Sequence, residues 1–218
     1  MSKKDIIPLG LVLAMFAIGF LVQNEVPEVM VTHWNAQGQA DGYGGKFIGL
    51  YLIPIMTLLI LGFFHAIPKI EVLDFRKNIL DFEKHFYGLR LTLTAFMLIV
   101  YVTTISINLG YDIPINKIIM PAVGALIFYM GYIMQFVKRN FWIGVRTPWT
   151  ITSDKVWDKT HILASKLFRI MGALFIIASL TTEKVVGILI AFILVTTMFI
   201  IIYSYWIYRR EVEGGKDG

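Results

Sequence analysis

The sequence contains no cysteine, which excludes disulfide bonds and thiol catalysis. Charged residues are also scarce, at 16% of the chain against 57% hydrophobic residues, whereas soluble domains carry about 25% charged residues. The chain also lacks the GxSxG and HExxH motifs and the paired aspartates of an intramembrane protease. Few charges fall inside the apolar runs, which argues against a proton-coupled pump. We therefore expect an integral membrane protein that is not an enzyme.

Six apolar runs divide the chain, and about 20 apolar residues suffice to cross a bilayer as a helix. They predict an all-α integral membrane fold with six transmembrane helices in one polytopic domain, residues 1–218. We interpret the first run as an uncleaved span, because no cleavage site of a signal peptide follows it. The runs cover residues 6–22, 47–66, 86–109, 117–137, 162–180 and 185–208.

Within this domain we distinguish an N-terminal two-helix unit, residues 6–66, which contains a loop at 23–46. A four-helix region, residues 86–208, contains a second loop at 138–161, and residues 209–218 form a charged, Gly-rich tail that we expect to be disordered. Residues 67–85 mix both charges with apolar residues, which predicts a short helix on the membrane surface. We find no internal repeat.

The basic residues are distributed unevenly along these segments. Of the 20 Lys and Arg residues, 17 lie in or beside the N-terminus, residues 67–85, the 138–161 loop and the tail, since the other loops hold only Lys46, Lys117 and Lys184. Basic loops stay in the cytoplasm. We therefore predict that both termini and the 138–161 loop are cytoplasmic and that the 23–46 loop faces outward. This distribution also explains the net charge of +5 without direct nucleic-acid binding.

The cytoplasmic loop is polar and rich in tryptophan. Pro148 pushes Thr147 toward an extended conformation, so Arg146 to Trp149 should not be helical, and a helix should restart at Thr152 or Ser153 as its N-cap. The spacing of Trp157, His161, Ala164 and Phe168 then places these four on one helix face. We consider ten residues of this loop as a partner- or ligand-binding set: Asn140, Trp142, Gly144, Arg146, Thr147, Pro148, Trp149, Trp157, Asp158 and His161.

Two readings of this inner set stay open. Arg and Trp tend to dominate binding surfaces, which favours docking of a protein, a lipid headgroup or an anion. Alternatively, the loop is an interfacial belt in which Arg146 pairs with Asp154 or Asp158. A metal site formed by Asp158 and His161 together with Asp81 and His85 is a weaker third alternative, and we predict neither a metal nor a cofactor.

The outward loop carries a second candidate set: His33, Trp34, Asn35, Gly38, Asp41 and Gly42. The compact polar group of His33, Asn35 and Asp41 favours a folded cap that contacts a ligand. The alternative is an interfacial loop, anchored by Trp34 and Tyr43 at the membrane boundary and turned by its glycines.

Both sets fall within longer motifs that resemble known proteins. Asn140, then the run from Trp142 to Trp149, WIGVRTPW, then Trp157 and Lys159-Thr160-His161 resemble the signature of the SdpI-type immunity proteins. Pro27, His33-Trp34-Asn35, Gly38 and Asp41-Gly42-Tyr43-Gly44 are similar to a small membrane domain of undefined function that often precedes that signature. Together the two resemblances extend from about Pro27 to about Trp206.

The resemblance implies a multi-pass protein of the cell membrane that gives immunity to a secreted antimicrobial peptide. It also implies a signalling role, in which a cytoplasmic repressor is captured at the membrane when toxin is present. Its partners would be the lipid bilayer, a peptide toxin outside and a repressor inside. The competing hypothesis is a transporter of small solutes or lipids, which predicts that Thr103, Ser106 and Asn108 of the polar third run face a wet cavity.

Overall fold

The computed structural model describes residues 5–66, 83–140, 143–182 and 185–213. They form six long helices, one short helix and a two-stranded antiparallel hairpin. In chain order the elements are α1 (Ile6–Val22), β1 (Val29–Trp34), β2 (Ala40–Gly45), α2 (Lys46–Ala66), α3 (Glu83–Asn108), α4 (Ile115–Met134), α5 (Pro148–Thr152), α6 (Asp154–Thr181) and α7 (Val185–Tyr208), followed by a π-helical turn (Arg209–Glu213).

The prediction of a mostly helical membrane protein is confirmed. Five helices, α2, α3, α4, α6 and α7, are long and apolar enough to cross a membrane, and α1 is a shorter apolar helix of 17 residues. The number of crossings and the side on which the termini lie stay predictions. The fold is not purely α-helical, however, because the 23–46 segment folds into the β1–β2 hairpin where the sequence predicted a loop.

The long helices alternate in direction, which gives the bundle two distinct ends. At the hairpin end, the side chain of Asn108, the last residue of α3, bonds to Val31 of β1. At the other end, which we call the termini end, Asp5 before α1 pairs with Arg90 of α3. Residues 135–140 and 143–153 and the last residues of α7 also lie at the termini end.

The closest helix pairing joins α4 and α6 through glycines. A Cβ added at Gly172 would lie 2.5 Å from the backbone nitrogen of Phe128, and one added at Gly131 would lie 2.7 Å from the nitrogen of Arg169. Small residues let membrane helices approach closely enough for backbone packing. This pair therefore forms the rigid centre of the second half of the chain.

A second core joins α1, α2 and α3 to the hairpin. Its buried side chains include Met15, Met30, Leu50, Tyr101 and Ile105. Met30 of β1 lies directly over Gly49 of α2, where an added Cβ would meet the Met30 sulfur at 2.5 Å. The hairpin is thus packed onto the helices and is not a free loop.

The ends of two predicted segments differ from expectation. Residues 209–213 continue helically from α7, where the sequence predicted the start of a disordered tail. Of the predicted surface helix at 67–85, residues 67–82 lie outside the described part of the chain, and 83–85 form the start of α3.

Candidate functional site

The Trp-rich loop is organised around two helix starts. Thr147 is the extended N-cap of α5: its hydroxyl accepts from the Thr150 N–H at 3.2 Å, while its own N–H donates to the Thr150 hydroxyl at 2.8 Å. The extended conformation of Thr147 was predicted, but the non-helical assignment of Pro148 and Trp149 is wrong. Proline is favoured at the first position of a helix, because its missing N–H needs no partner there, and Pro148 begins α5.

The second start was predicted correctly. Ser153 is the N-cap of α6, and its hydroxyl accepts from the Val156 N–H at 3.4 Å. The first-turn carboxylate of Asp154 accepts from Arg139 Nε at 2.6 Å. Arg139 thus pairs with Asp154, one of the two partners that the belt interpretation gave to Arg146, and Arg146 is exposed.

Trp157 and His161 are the buried centre of this loop. The side chain of Trp157 is 0% exposed and that of His161 1%, and their rings stack with centroids 4.0 Å apart. The Trp157 indole donates to the carbonyl of Val137 at 2.8 Å. The Val145 N–H donates to His161 Nε2 at 3.0 Å, so Nε2 is unprotonated and Nδ1–H donates to the Trp157 carbonyl at 2.8 Å.

The turn before α5 fits closely over this pair. Asn140 closes it, because its amide accepts from the Ile143 N–H at 2.8 Å and donates to the Ile143 carbonyl at 3.1 Å. Gly144 has a φ of +119°, and an added Cβ would lie 2.3 Å from His161 Nε2. Trp142, another member of the predicted set, lies outside the described residues.

The loop also holds the end of α7. The Trp149 indole donates to the Ser204 hydroxyl at 2.5 Å, and its ring packs edge-on against Tyr205 with centroids 5.2 Å apart. Lys155 and Lys159 of α6 both pair with Glu211 in the π-helical turn. These contacts keep residues 209–213 ordered against α6.

The predicted inner set therefore separates into two classes. Trp157 and His161 are buried supports, whereas Arg146, Pro148 and Asp158 are exposed. In the metal alternative, the His161 ring has no nitrogen left to bind a metal, because both ring nitrogens already form hydrogen bonds. His85 stacks on Phe136 with centroids 4.0 Å apart, and Asp81 lies outside the described residues.

At the other end of the bundle, the hairpin brings the polar members of the outer set together. His33 Nδ1 and Asp41 Oδ1 are 2.5 Å apart across the two strands, and both side chains are exposed. Gly42 pairs with His33 in the register, and a Cβ there would lie 2.7 Å from that of His33. Glycine at this position lets the two strands approach.

Asn35 and Gly38 shape the hairpin tip. The Asn35 side-chain oxygen accepts from the N–H groups of Gln37 and Gln39, both at 3.0 Å, and Gly38 adopts a φ of +79°. The tip rests on α4, where Asn116 donates to the carbonyl of Ala36 at 3.2 Å. Asn35 and Gly38 therefore set the backbone, while His33 and Asp41 remain available at the surface.

Asn108 is a residue whose role the sequence analysis missed. Its amide accepts from the Val31 N–H at 2.8 Å and donates to the Val31 carbonyl at 3.0 Å, as a neighbouring strand would. The transport hypothesis placed this side chain in a wet cavity. A side-chain amide at the very end of an apolar run could have indicated this role, because it can pair with backbone groups of another segment. Such groups are costly to bury unpaired.

A cleft of about 460 Å³ opens between the hairpin and the helices. His33, Trp34 and Asn35 form its polar rim, and apolar side chains such as Ile53, Val100 and Met120 form its walls. Val186, at the start of α7, also contributes to the wall. A neighbouring cleft of about 380 Å³ lies between the hairpin tip and the ends of α6 and α7.

Comparisons with known proteins agree with the two motifs. Residues 137–204 match the SdpI/YfhL protein family, and residues 10–58 match a domain of unknown function (DUF1648). The chain is 28% identical to "Immunity protein SdpI" of Bacillus subtilis (strain 168) over 211 residues. This alignment covers 95% of the chain and 97% of that protein. No solved structure matches the chain significantly. The chain is thus a multi-pass protein of the cell membrane, and it is similar to the SdpI/YfhL family over residues 137–204.

Proposed function

We propose that this chain is a membrane immunity protein that protects its cell from a secreted antimicrobial peptide. The observation that carries this proposal is the similarity to an immunity protein over nearly the full length of both chains, hairpin and Trp-rich loop included. The buried His161 fits a supporting role, and the mutually paired His33 and Asp41 fit a binding role. Neither role requires a catalytic step.

The proposal places the hairpin outside the cell, where it meets a peptide first. The support is the distribution of Lys and Arg, of which only Lys46 and Lys117 lie in the described part of the hairpin end. Because the chain has no cysteine, single cysteines introduced at Tyr43 and Asp158 report the side directly. A membrane-impermeant maleimide should label Tyr43→Cys in intact cells and Asp158→Cys only after permeabilisation. The reverse pattern would invert the proposed topology.

The cleft under the hairpin is the proposed contact for the peptide. Its volume of about 460 Å³ falls within the range of roughly 300–1,000 Å³ typical of ligand sites. Apolar walls with a polar rim of His33, Trp34 and Asn35 suit an amphipathic segment, whose apolar side chains enter while its backbone or charges stay at the rim.

The termini end offers a separate surface for a cytoplasmic repressor. Arg146, Pro148 and Asp158 are exposed there, beside the half-buried Trp149. Helix α7 joins the two surfaces, because Val186 lines the cleft at one end and Ser204 bonds to Trp149 at the other. A ligand that repositions the start of α7 would therefore act on the proposed repressor surface.

Survival of a sensitive host that expresses the chain tests the first part of the proposal. Cells with the native chain should survive a killing peptide, and His33→Ala with Asp41→Ala should lose that protection while the protein still reaches the membrane. Tyr111→Ala is the matched control, since Tyr111 is exposed at the same end and does not line the cleft. Full protection by the double variant would remove the hairpin from the binding site.

Membrane recruitment of a fluorescent repressor fusion tests the second part. The fusion should move to the membrane when toxin is added, and Arg146→Ala should abolish the movement. Lys138→Ala, a change at another exposed cation of the same loop, should preserve it. Equal recruitment by both variants would exclude the Arg146 surface.

A further inference from the structure

A groove of about 220 Å³ lies between α1 and α2 at the termini end, with α3 as its floor. Its lining changes character along its length: Asp5, His65 and Arg90 lie at the end of the bundle, and Leu9, Leu58 and Leu61 lie deeper. Neither of the two candidate sites described above includes any of these residues.

The charged end of the groove holds an incompletely satisfied cation. Arg90 Nη1 lies 2.8 Å from Asp5 Oδ1, and only 10% of the Arg90 side chain is exposed. His65 Nδ1 lies 3.6 Å from the other oxygen of Asp5. Arg90 Nε is buried and meets no hydrogen-bond acceptor within the described part of the chain. A guanidinium has five N–H donors, and leaving one buried without a partner is unfavourable.

The rest of the groove is apolar and extends along α2. Leu58, Leu61 and His65 recur at helical spacing on α2, and the seven steps from Leu58 to His65 rise about 10 Å. Leu58 is partly exposed to the surroundings of the bundle. The groove therefore runs from ionic groups at headgroup level to leucines inside the hydrocarbon layer.

We propose that this groove binds one phospholipid with a phosphoethanolamine headgroup. Its phosphate would accept from Arg90, because guanidinium groups match phosphate oxygens well. Its ammonium would donate to Asp5, and an acyl chain would lie along Leu58 and Leu61. A purely anionic headgroup would bring its charge against the Asp5 carboxylate, and a choline headgroup has no N–H to donate.

Gly62 allows the groove to be closed without disturbing the bundle. It lines the groove between Leu61 and His65, and a Cβ added there would meet no atom within 4 Å. Gly62→Phe therefore fills the groove, and Gly187→Phe is its matched control. Gly187 also lies in a helix, has equally open space around it and is far from the groove in the chain. Replacing glycine favours the helix at both positions.

Native mass spectrometry of the full-length protein tests this site. The protein is reconstituted in vesicles of equal parts phosphatidylethanolamine and deuterium-labelled phosphatidylglycerol, and one retained phosphatidylethanolamine is expected. Gly62→Phe should reduce its retention about tenfold, because the ring occupies the space of the acyl chain, and Gly187→Phe should retain it. Equal retention by the two variants would overturn the groove as the site.

Asp5→Asn tests the assignment of the headgroup. Removal of the carboxylate should reverse the preference toward phosphatidylglycerol, a change that a purely structural role of Asp5 would not produce. If Asp5→Asn fails to insert, the two glycine variants still decide whether the groove holds lipid. A preference of the native protein for phosphatidylglycerol would overturn the proposed ammonium–carboxylate contact.

Discussion

The contact between Gly144 and His161 gives the sharpest test of how the Trp-rich loop is built. Gly144→Ala imposes two separate penalties. A side chain at a φ of +119° is strained by about 1–3 kcal/mol. The new Cβ would also lie 2.3 Å from His161 Nε2. The imidazole must therefore move away from the Val145 N–H, which donates a hydrogen bond to it. Leaving that donor unpaired costs a further 1–3 kcal/mol or so.

Gly110→Ala separates these two penalties. Gly110 has a φ of +92°, but a Cβ there would meet no atom within 4 Å, so this variant experiences the strain alone. We therefore expect Gly144→Ala to lower the free energy of unfolding by about 1–3 kcal/mol more than Gly110→Ala. The measurement is unfolding in mixed micelles against the mole fraction of dodecyl sulfate, followed by tryptophan fluorescence.

A double variant identifies His161 as the cause. In Gly144→Ala/His161→Ala the imidazole is absent, so the new methyl group no longer collides with it. The double variant should then be less destabilised than the sum of the two single variants by about 1–3 kcal/mol, a range typical of directly contacting residues. Additive single effects, or equal destabilisation of Gly144→Ala and Gly110→Ala, would refute the proposed packing.

Three further predictions concern contacts that hold elements together. Asn108→Ala should release β1 from α3, since both hydrogen bonds to Val31 are lost, and amide hydrogen exchange should rise in the hairpin before the helices; unchanged exchange would contradict the docking role. Trp149→Phe should cost about 0.5–1.5 kcal/mol in the same unfolding assay by removing the bond to Ser204, and Ser204→Ala should give no additional loss in the double variant. Glu211→Gln should make the end of α7 more susceptible to limited proteolysis, because its two lysine partners lose their counter-charge; equal cleavage would show that those ion pairs do not order it.

The helices could be predicted from the sequence, but the hairpin could not. Apolar runs of about 20 residues define membrane helices because the bilayer leaves few alternatives. The strand β2 reads ADGYGG, which lacks the β-branched residues and the alternation that indicate strands. The hairpin depends on distant contacts of its first strand, chiefly the bonds of Asn108 to Val31 and the packing of Met30 on Gly49. Residue spacing along the chain does not predict them.

The candidate site was also predictable only in part: the shared helix face could be predicted, and the partners of its side chains could not. Helical spacing placed Trp157, His161 and Ala164 on one face, and all three are buried. Their partners are backbone groups, the Val137 carbonyl and the Val145 N–H. Every residue carries such groups, so the sequence did not reveal which of them the turn would bring to the two rings.

This burial changes how the Trp-rich loop relates to an external ligand. An inner motif made only of contact residues would be hard to reconcile with a peptide that arrives at the opposite face. Trp157 and His161 instead support the turn, while Trp149 holds α7 through Ser204. Since Val186 of the same helix lines the hairpin-end cleft, the motif is mechanically connected to the proposed peptide site. The connection assigns separate roles to residues of one motif: Trp157 and His161 support the turn, Trp149 holds the end of α7, and Arg146 is exposed.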